Sequence, residues 1–260
     1  MRIALGIEYN GHAYCGWQAQ KDDVETVQET LERALSIVAD EEIRVICAGR
    51  TDTGVHGAEQ VVHFDTEVVR TDRSWAFGAN ANLPKDVCVL WATPVSSEFH
   101  ARFSARRRRY QYVIFNRSVR PAYLANLTTW EFRPLDVDKM QLAANDLVGE
   151  HDFNAYRAMA CQAKSPVREI LNLKVTRNGN FVLIDIEANA FLHHMVRNIA
   201  GVLMEIGAGT QAPAWAKEIL ETCDRKQGGV TAKPHGLYLT GVWYDEAFVL
   251  PQVSHSSPIW

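Results

Sequence analysis

The sequence predicts an α+β fold. Short stretches of alternating apolar and polar residues are interleaved with segments of helical period, in the order strand, helix, strand, strand. The same order starts again after an arginine-rich stretch near the middle of the chain. With 260 residues, 47% of them hydrophobic, the chain can form two lobes of ordinary size, each with a full core.

Taken in order, Arg2 to Asn10 alternates and reads as a strand, closed by a turn at Asn10-Gly11. Val27, Leu31, Ala34, Leu35 and Val38 share one face of a helix over 27–39. The β-branched run Ile43 to Ala48 reads as a strand, as do Glu59 to Phe64 and Val87 to Thr93. In the second half Tyr110 to Phe115 alternates as a strand and Val137 to Leu147 is helical. Ile170 to Thr176 and Phe181 to Glu187 are strands joined at Asn178-Gly179, a hairpin signal. A helix over 192–206 and a strand from Leu237 to Tyr244 complete this half. We read the halves as two ferredoxin-like (RRM-like) lobes, 1–105 and 106–260, with antiparallel sheets forming a central cleft. The boundary falls within Glu98 to Arg106, and no residue-level repeat relates the two.

Net charge is −4, so a nucleic-acid partner would have to be met by a local basic patch. The five cysteines are scattered, odd in number and without Cys-x-x-Cys spacing, which fits a reducing cytosol and neither a disulfide framework nor a zinc site. The N-terminal apolar run is too short for a signal peptide, and no apolar stretch is long enough for a membrane span. The expectation is a soluble, cytoplasmic protein.

The candidate chemistry centres on Gly49-Arg50-Thr51-Asp52-Thr53-Gly54-Val55-His56, a loop between two strands with glycines near both ends. Asp52 has two readings. Asp before Thr-Gly is ordinary turn chemistry. Alternatively, an arginine two residues away favours the ionised carboxylate that a nucleophile needs.

A second candidate is the run Phe99-His100-Ala101-Arg102-Phe103-Ser104-Ala105 followed by Arg106 to Arg109 and Tyr110. Cations interleaved with aromatics suit a phosphate backbone and unstacked bases; the plainer reading is a charged edge strand. Alternation puts Arg107 and Arg109 on the face opposite Arg106, Arg108 and Tyr110, so they cannot all meet one ligand.

In the helix over 192–206, Leu192, Met195, Ile199, Leu203 and Ile206 form the apolar face and Arg197 points away from it. Met204 and Gly201 share the Arg197 side, so that face should also be covered. As neighbouring helical positions, His193 and His194 would diverge by about 100° and could not ligate one ion, so no metal is expected. Gly236-Leu237-Tyr238-Leu239 reads as the start of a core strand.

The octet around Asp52 resembles the signature of the TruA family of tRNA pseudouridine synthases, with Thr53 where the family usually has alanine. Further stretches resemble the family too. They are Ile7 to Gly11 with Gly16-Trp17-Gln18, Asn80 to Pro84, Phe99 to Phe103, Arg108-Arg109-Tyr110, Ala188 to Phe191 and the segment around Arg197. The resemblance implies that Asp52 is the nucleophile, that Arg197 is its ion-pair partner, and that Tyr110 stacks on the target uracil and serves as a base. With an ordinary phenol pKa of about 10, a base role needs help from its surroundings. The resemblance further implies that Arg50 holds a flipped-out nucleotide and that Leu237 lies against the base. Phe99, His100, Ala101, Arg102, Phe103, Arg106 and Arg108 are implied to meet the RNA.

The implied reaction isomerises uridine to pseudouridine on the 3′ side of the anticodon stem-loop of tRNA, by a homodimer. Isomerisation gains no electrons or groups, so no cofactor is expected, and the stacked base must be flipped out. Attack at ribose C1′ and attack at uracil C6 both remain open. Two rival readings are a non-catalytic RNA binder, against which stands the lack of an RNP aromatic motif, and a carboxylate glycosidase, which needs a second acid.

Overall fold

The continuous apolar run Ile3-Ala4-Leu5-Gly6-Ile7 makes β1 (Arg2–Tyr9) a central strand, paired antiparallel on both sides. The computed structural model describes residues 1–20 and 24–251 and shows a mixed α+β chain. It divides into two units, Met1–Arg106 with the segment from Tyr238, and Arg107–Leu237.

The first unit contains β1, α1 (Val27–Ala39), β2 (Ile46–Cys47), β3 (His56–Asp65), α2 (Asp72–Asn82) and β4 (Val87–Val95). The second contains β5 (Arg107–Asn116), β6 (Thr129–Glu131), α3 (Val137–Asn145), β7 (Gly149–Asp152), β8 (Val167–Asn178), β9 (Phe181–Ala188), α4 (Met195–Gly207) and α5 (Trp215–Thr222). The last strand, β10 (Leu237–Trp243), begins at the end of the second unit and runs into the first.

In the first unit the strand order is β4-β1-β3, with β2 and β10 both on the outer edge of β3. β2 pairs antiparallel with the far end (Ile46↔His63), and β10 pairs parallel with the near end through Tyr238↔His56 and Leu239↔Gly57. The sequence places 237–244 in the second lobe; from Tyr238 onward the strand groups with the first unit.

Thr26 caps the start of α1. The Thr26 hydroxyl oxygen accepts from the Glu29 N–H, and its O–H donates to the Glu29 carboxylate at 2.6 Å. Leu31 and Leu35 turn inward from this helix against Leu5, Ile7, Phe64 and Trp75. Each such side chain contributes roughly 1.5–3 kcal/mol by leaving water.

Two expectations for this unit change. Of the predicted strand 43–48 only Ile46–Cys47 is a strand. The N–H of Val45 is taken by the buried Glu32 carboxylate at 2.9 Å and that of Ile43 by Ser36 Oγ at 2.9 Å, so α1 supplies their partners. Helix α2 was not foreseen. It buries Trp75, Ala76 and Ala79 and crosses α1 at Gly78, where a Cβ would stand 2.9 Å from Val38.

The second unit has the order β5-β9-β8-β7, with β6 parallel along the far end of β5. Helices α3 and α4 pack together, and α3 lies on β8. Met140, Ile199, Leu203 and Ile206 are fully buried, as are Leu173, Val175 and Ile184 of the sheet. Among the described residues no helix is long and apolar enough to cross a membrane, and all five cysteines are free thiols.

Candidate functional site

The loop before β3 is anchored on both sides of Asp52. Thr51 Oγ1 bonds the Tyr9 hydroxyl at 2.8 Å, and its carbonyl accepts the Trp17 N–H at 3.0 Å. The Asp52 carbonyl accepts from Val55 N–H at 3.1 Å, closing a turn in which Gly54 has φ +77°. His56 is buried, its Nδ1 accepts from Gly11 N–H at 3.1 Å, and its ring stacks 4.5 Å from that of Tyr238. Gln60 closes the base, donating to the Gly49 carbonyl at 2.6 Å and accepting its N–H at 3.3 Å.

Two glycines let neighbouring chain come this close. A Cβ on Gly11 would stand 1.9 Å from the Val55 carbonyl oxygen, and one on Gly16, at φ +86°, would stand 2.9 Å from that of Thr51. Arg50 is exposed and Asp52 half-buried, so a defined backbone holds a partly exposed carboxylate.

The segment Phe99–Phe103 has an anchored side and an open side. Phe99 and Ala101 are fully buried, Phe99 against Tyr244 and Phe248. The Ala101 N–H donates to His63 Nδ1 at 3.1 Å. Burial, with Arg2 and His100 nearby, pushes His63 down to about 4, leaving a neutral acceptor at neutral pH. His100 Nδ1 accepts the N–H groups of Arg102 and Phe103, both at 3.2 Å, and its ring lies 4.3 Å from that of Phe103. Phe103 is 77% exposed, with the Arg102 guanidinium 5.6 Å from its centroid. The side chains this segment offers outward are therefore His100, Arg102 and Phe103; those of Phe99 and Ala101, expected at the RNA, pack inward because they hold the segment down.

The arginine run behaves differently from its composition. Arg106 faces Asp245 at 3.4 Å, Arg107 meets Glu187 at 2.8 Å, and Arg109 grips Asp185 through Nε and Nη2 at 2.9 and 2.6 Å. Much of its positive charge is thus answered by carboxylates that lie far away in sequence. Arg108 is buried and donates to the Asn189 carbonyl at 3.1 Å. The predicted alternation holds, since Arg108 and Tyr110 face inward while Arg107 and Arg109 face the acids of β9.

Also in the second unit, Tyr110 is buried edge-on to Phe191, with ring centroids 5.1 Å apart. Tyr112 is fully sealed, donates to the Lys233 carbonyl at 2.7 Å, and is pushed up from the usual phenol range by burial. Arg197 is half-buried on α4, where its Nε donates to the Ala232 carbonyl at 2.9 Å. Leu237 is buried just beyond Gly236, whose missing Cβ lets the chain approach the Val113 carbonyl.

His193 and His194 are not the neighbouring helical positions that the sequence leads one to expect, and do not diverge by a helical turn angle. Both precede α4, His194 is left-handed with φ +62°, and the two rings lie 4.1 Å apart. Sequence reasoning missed His56, Gln60 and Tyr9 as the fastenings of the Asp52 loop; the glycines at 11 and 16 were the available signal.

Comparison with known proteins adds sequence likeness to this geometry. A family model described as tRNA pseudouridine synthase matches residues 6–104 and 143–245. The chain is 59% identical over 260 residues to the tRNA pseudouridine synthase A of Nitrosococcus oceani, covering 100% of both. It is 58% identical over 251 residues to that of Pseudomonas aeruginosa, covering 96% of this chain and 88% of the relative. A solved chain from a Cbf5-Nop10-Gar1 complex aligns at a TM-score of 0.36 and 11% identity, over 78% of this chain and 45% of that one, too distant to bear on fold or function.

Proposed function

This chain belongs to the tRNA pseudouridine synthase family, and from that premise we propose that it converts uridines on the 3′ side of the tRNA anticodon stem-loop, with Asp52 as nucleophile. The observation that carries the reading is a half-exposed carboxylate on a loop whose backbone is fastened at Thr51, Val55, His56 and Gly49. In the reaction the C1′–N1 bond breaks, the uracil turns, and a C1′–C5 bond forms while C5 loses its proton and N1 gains one. Asp52 adds to ribose C1′ or to uracil C6. Arg197 orients the carboxylate and Tyr110 stacks on the base and assists removal of the C5 proton. Arg50 holds the nucleotide out of its helix, and Leu237 lies against the uracil. No redox or group-transfer cofactor is required by that balance.

The finer fold reading belongs here as well. In the first unit, the order β4-β1-β3-β2 with α1 and α2 as crossovers supports a ferredoxin-like lobe. We read the second unit as a variant of the same plan. A cytoplasmic homodimer contacting one tRNA with both copies completes the reading.

Tritium release from tRNA labelled at uracil C5 tests the substrate. Release is expected from an unmodified transcript and lost when the uridines of the 3′ side of the anticodon arm become cytidines; equal release from both would overturn the assignment. RNA contact by the open side of Phe99–Phe103, together with Arg106, is tested separately; the buried Arg108, expected at the RNA, instead holds the Asn189 carbonyl. Arg102→Glu is expected to flatten the slope of log affinity against log salt by about 1. An unchanged slope removes Arg102 from the interface.

A further inference from the structure

The helix does not aim Arg197 by itself. Its Nε donates to the Ala232 carbonyl at 2.9 Å, and the Ala232 N–H returns a bond to the Arg197 carbonyl at 3.1 Å. The next carbonyl along, that of Lys233, accepts the Tyr112 hydroxyl at 2.7 Å. The segment from Gly228 to Lys233 thus links α4 to β5, yet it has no regular structure of its own and carries two glycines and an 82% exposed Val230. It crosses α4 at Gly201, where a Cβ would lie 2.0 Å from the Val230 carbonyl oxygen.

Something must hold such a segment down, and one side chain does. Arg225 Nη2 lies 3.1 Å from Asn198 Oδ1, 3.0 Å from the Gly229 carbonyl and 3.1 Å from Thr231 Oγ1. Thr231 donates in turn to Asn198 Oδ1 at 2.7 Å, and the buried Asn198 donates to the Tyr156 carbonyl at 2.7 Å. Arg225 Nη2 therefore clips the segment to α4 at the residue next to Arg197.

We propose that Arg225 is a positioning residue for Arg197, acting through Thr231 and the Ala232 carbonyl. This rests on the reading that Arg197 serves the reaction at Asp52. All three contacts run through one nitrogen, Nη2, whose two N–H groups are shared among the three oxygens.

The test is a double-mutant cycle read by single-turnover tritium release, with tRNA affinity and urea midpoint measured alongside. Arg225→Ala is expected to lower the turnover rate about tenfold with tRNA affinity unchanged. In an Arg197→Ala background it should add less than twofold. Thr231→Val should reproduce part of the loss while Thr231→Ser, which keeps the hydroxyl, retains the rate; this pair decides the matter if Arg225→Ala does not fold. Full turnover in Arg225→Ala and Thr231→Val, or losses that multiply with that of Arg197→Ala, would overturn the proposal. Full turnover in Arg197→Ala alone would remove the premise instead.

Discussion

Asp52→Asn is expected to bind tRNA with wild-type affinity and to release essentially no tritium from uracil C5. The loop contacts that fix the backbone use Thr51, Gly49, the Asp52 carbonyl and His56, so a carboxamide of the same shape leaves them in place. What disappears is the only atom pair in the proposed reaction able to add to carbon. Loss of a covalent nucleophile removes at least about 10³-fold in rate, or ~4 kcal/mol of transition-state stabilisation. Binding by the side chains proposed to meet the RNA should persist, because phosphate contacts are sequence-independent and distributed. Undiminished tritium release from the variant would end the role given to Asp52, and loss of tRNA binding would reassign it to recognition.

The second large effect is expected at a residue without a side chain. In Gly11→Ala the added methyl would stand 1.9 Å from a backbone carbonyl, that of Val55, and no side-chain rotation can relieve it. The β1 end and the Asp52 loop must separate, which also pulls the Gly11 N–H from His56 Nδ1. Overpacking of this kind costs about 3 kcal/mol or more, lowering the urea midpoint by about 1 M or more. Turnover should fall with it, because the loop is displaced. Gly179→Ala is the control. At φ +56° with nothing within 4 Å, it pays only the left-handed conformation, about 1 kcal/mol. Equal shifts in the two variants would mean that the loop accommodates the methyl, and the close approach would lose its significance.

Legibility in the sequence followed how local each cause is. Helix α1 could be read because its apolar stripe lies within one short window. Helix α2 could not, because its buried face is one tryptophan and small alanines around Gly78, a weak periodic signal that becomes sensible only beside Val38 of α1. Ile43 and Val45 have strand residues, but Ser36 and Glu32 claimed their N–H groups first.

The same distance effect shaped the site. The octet at Asp52 was recognisable as a motif, whereas the parts that fasten it, Tyr9, Gly11 and Gly16, come from the far end of β1 and beyond. The arginine run read as a uniform positive patch because Asp185 and Glu187, which answer Arg109 and Arg107, lie on β9. The apolar period places His193 and His194 on a helix from 192, but α4 begins at Met195.

The late arrival of β10 bears on how the protein is made. Every other strand of the first unit has been synthesised by Val95, yet the partner for the near end of β3 begins at Tyr238. At ordinary rates of translation the ribosome needs on the order of ten seconds to cover that interval. Meanwhile the nascent first unit exposes open backbone at the point where the Asp52 loop enters the sheet, an invitation to mispairing with other chains. Maturation of the Asp52 loop is thereby tied to completion of nearly the whole polypeptide, so a partly made chain would not hold this carboxylate in its finished setting.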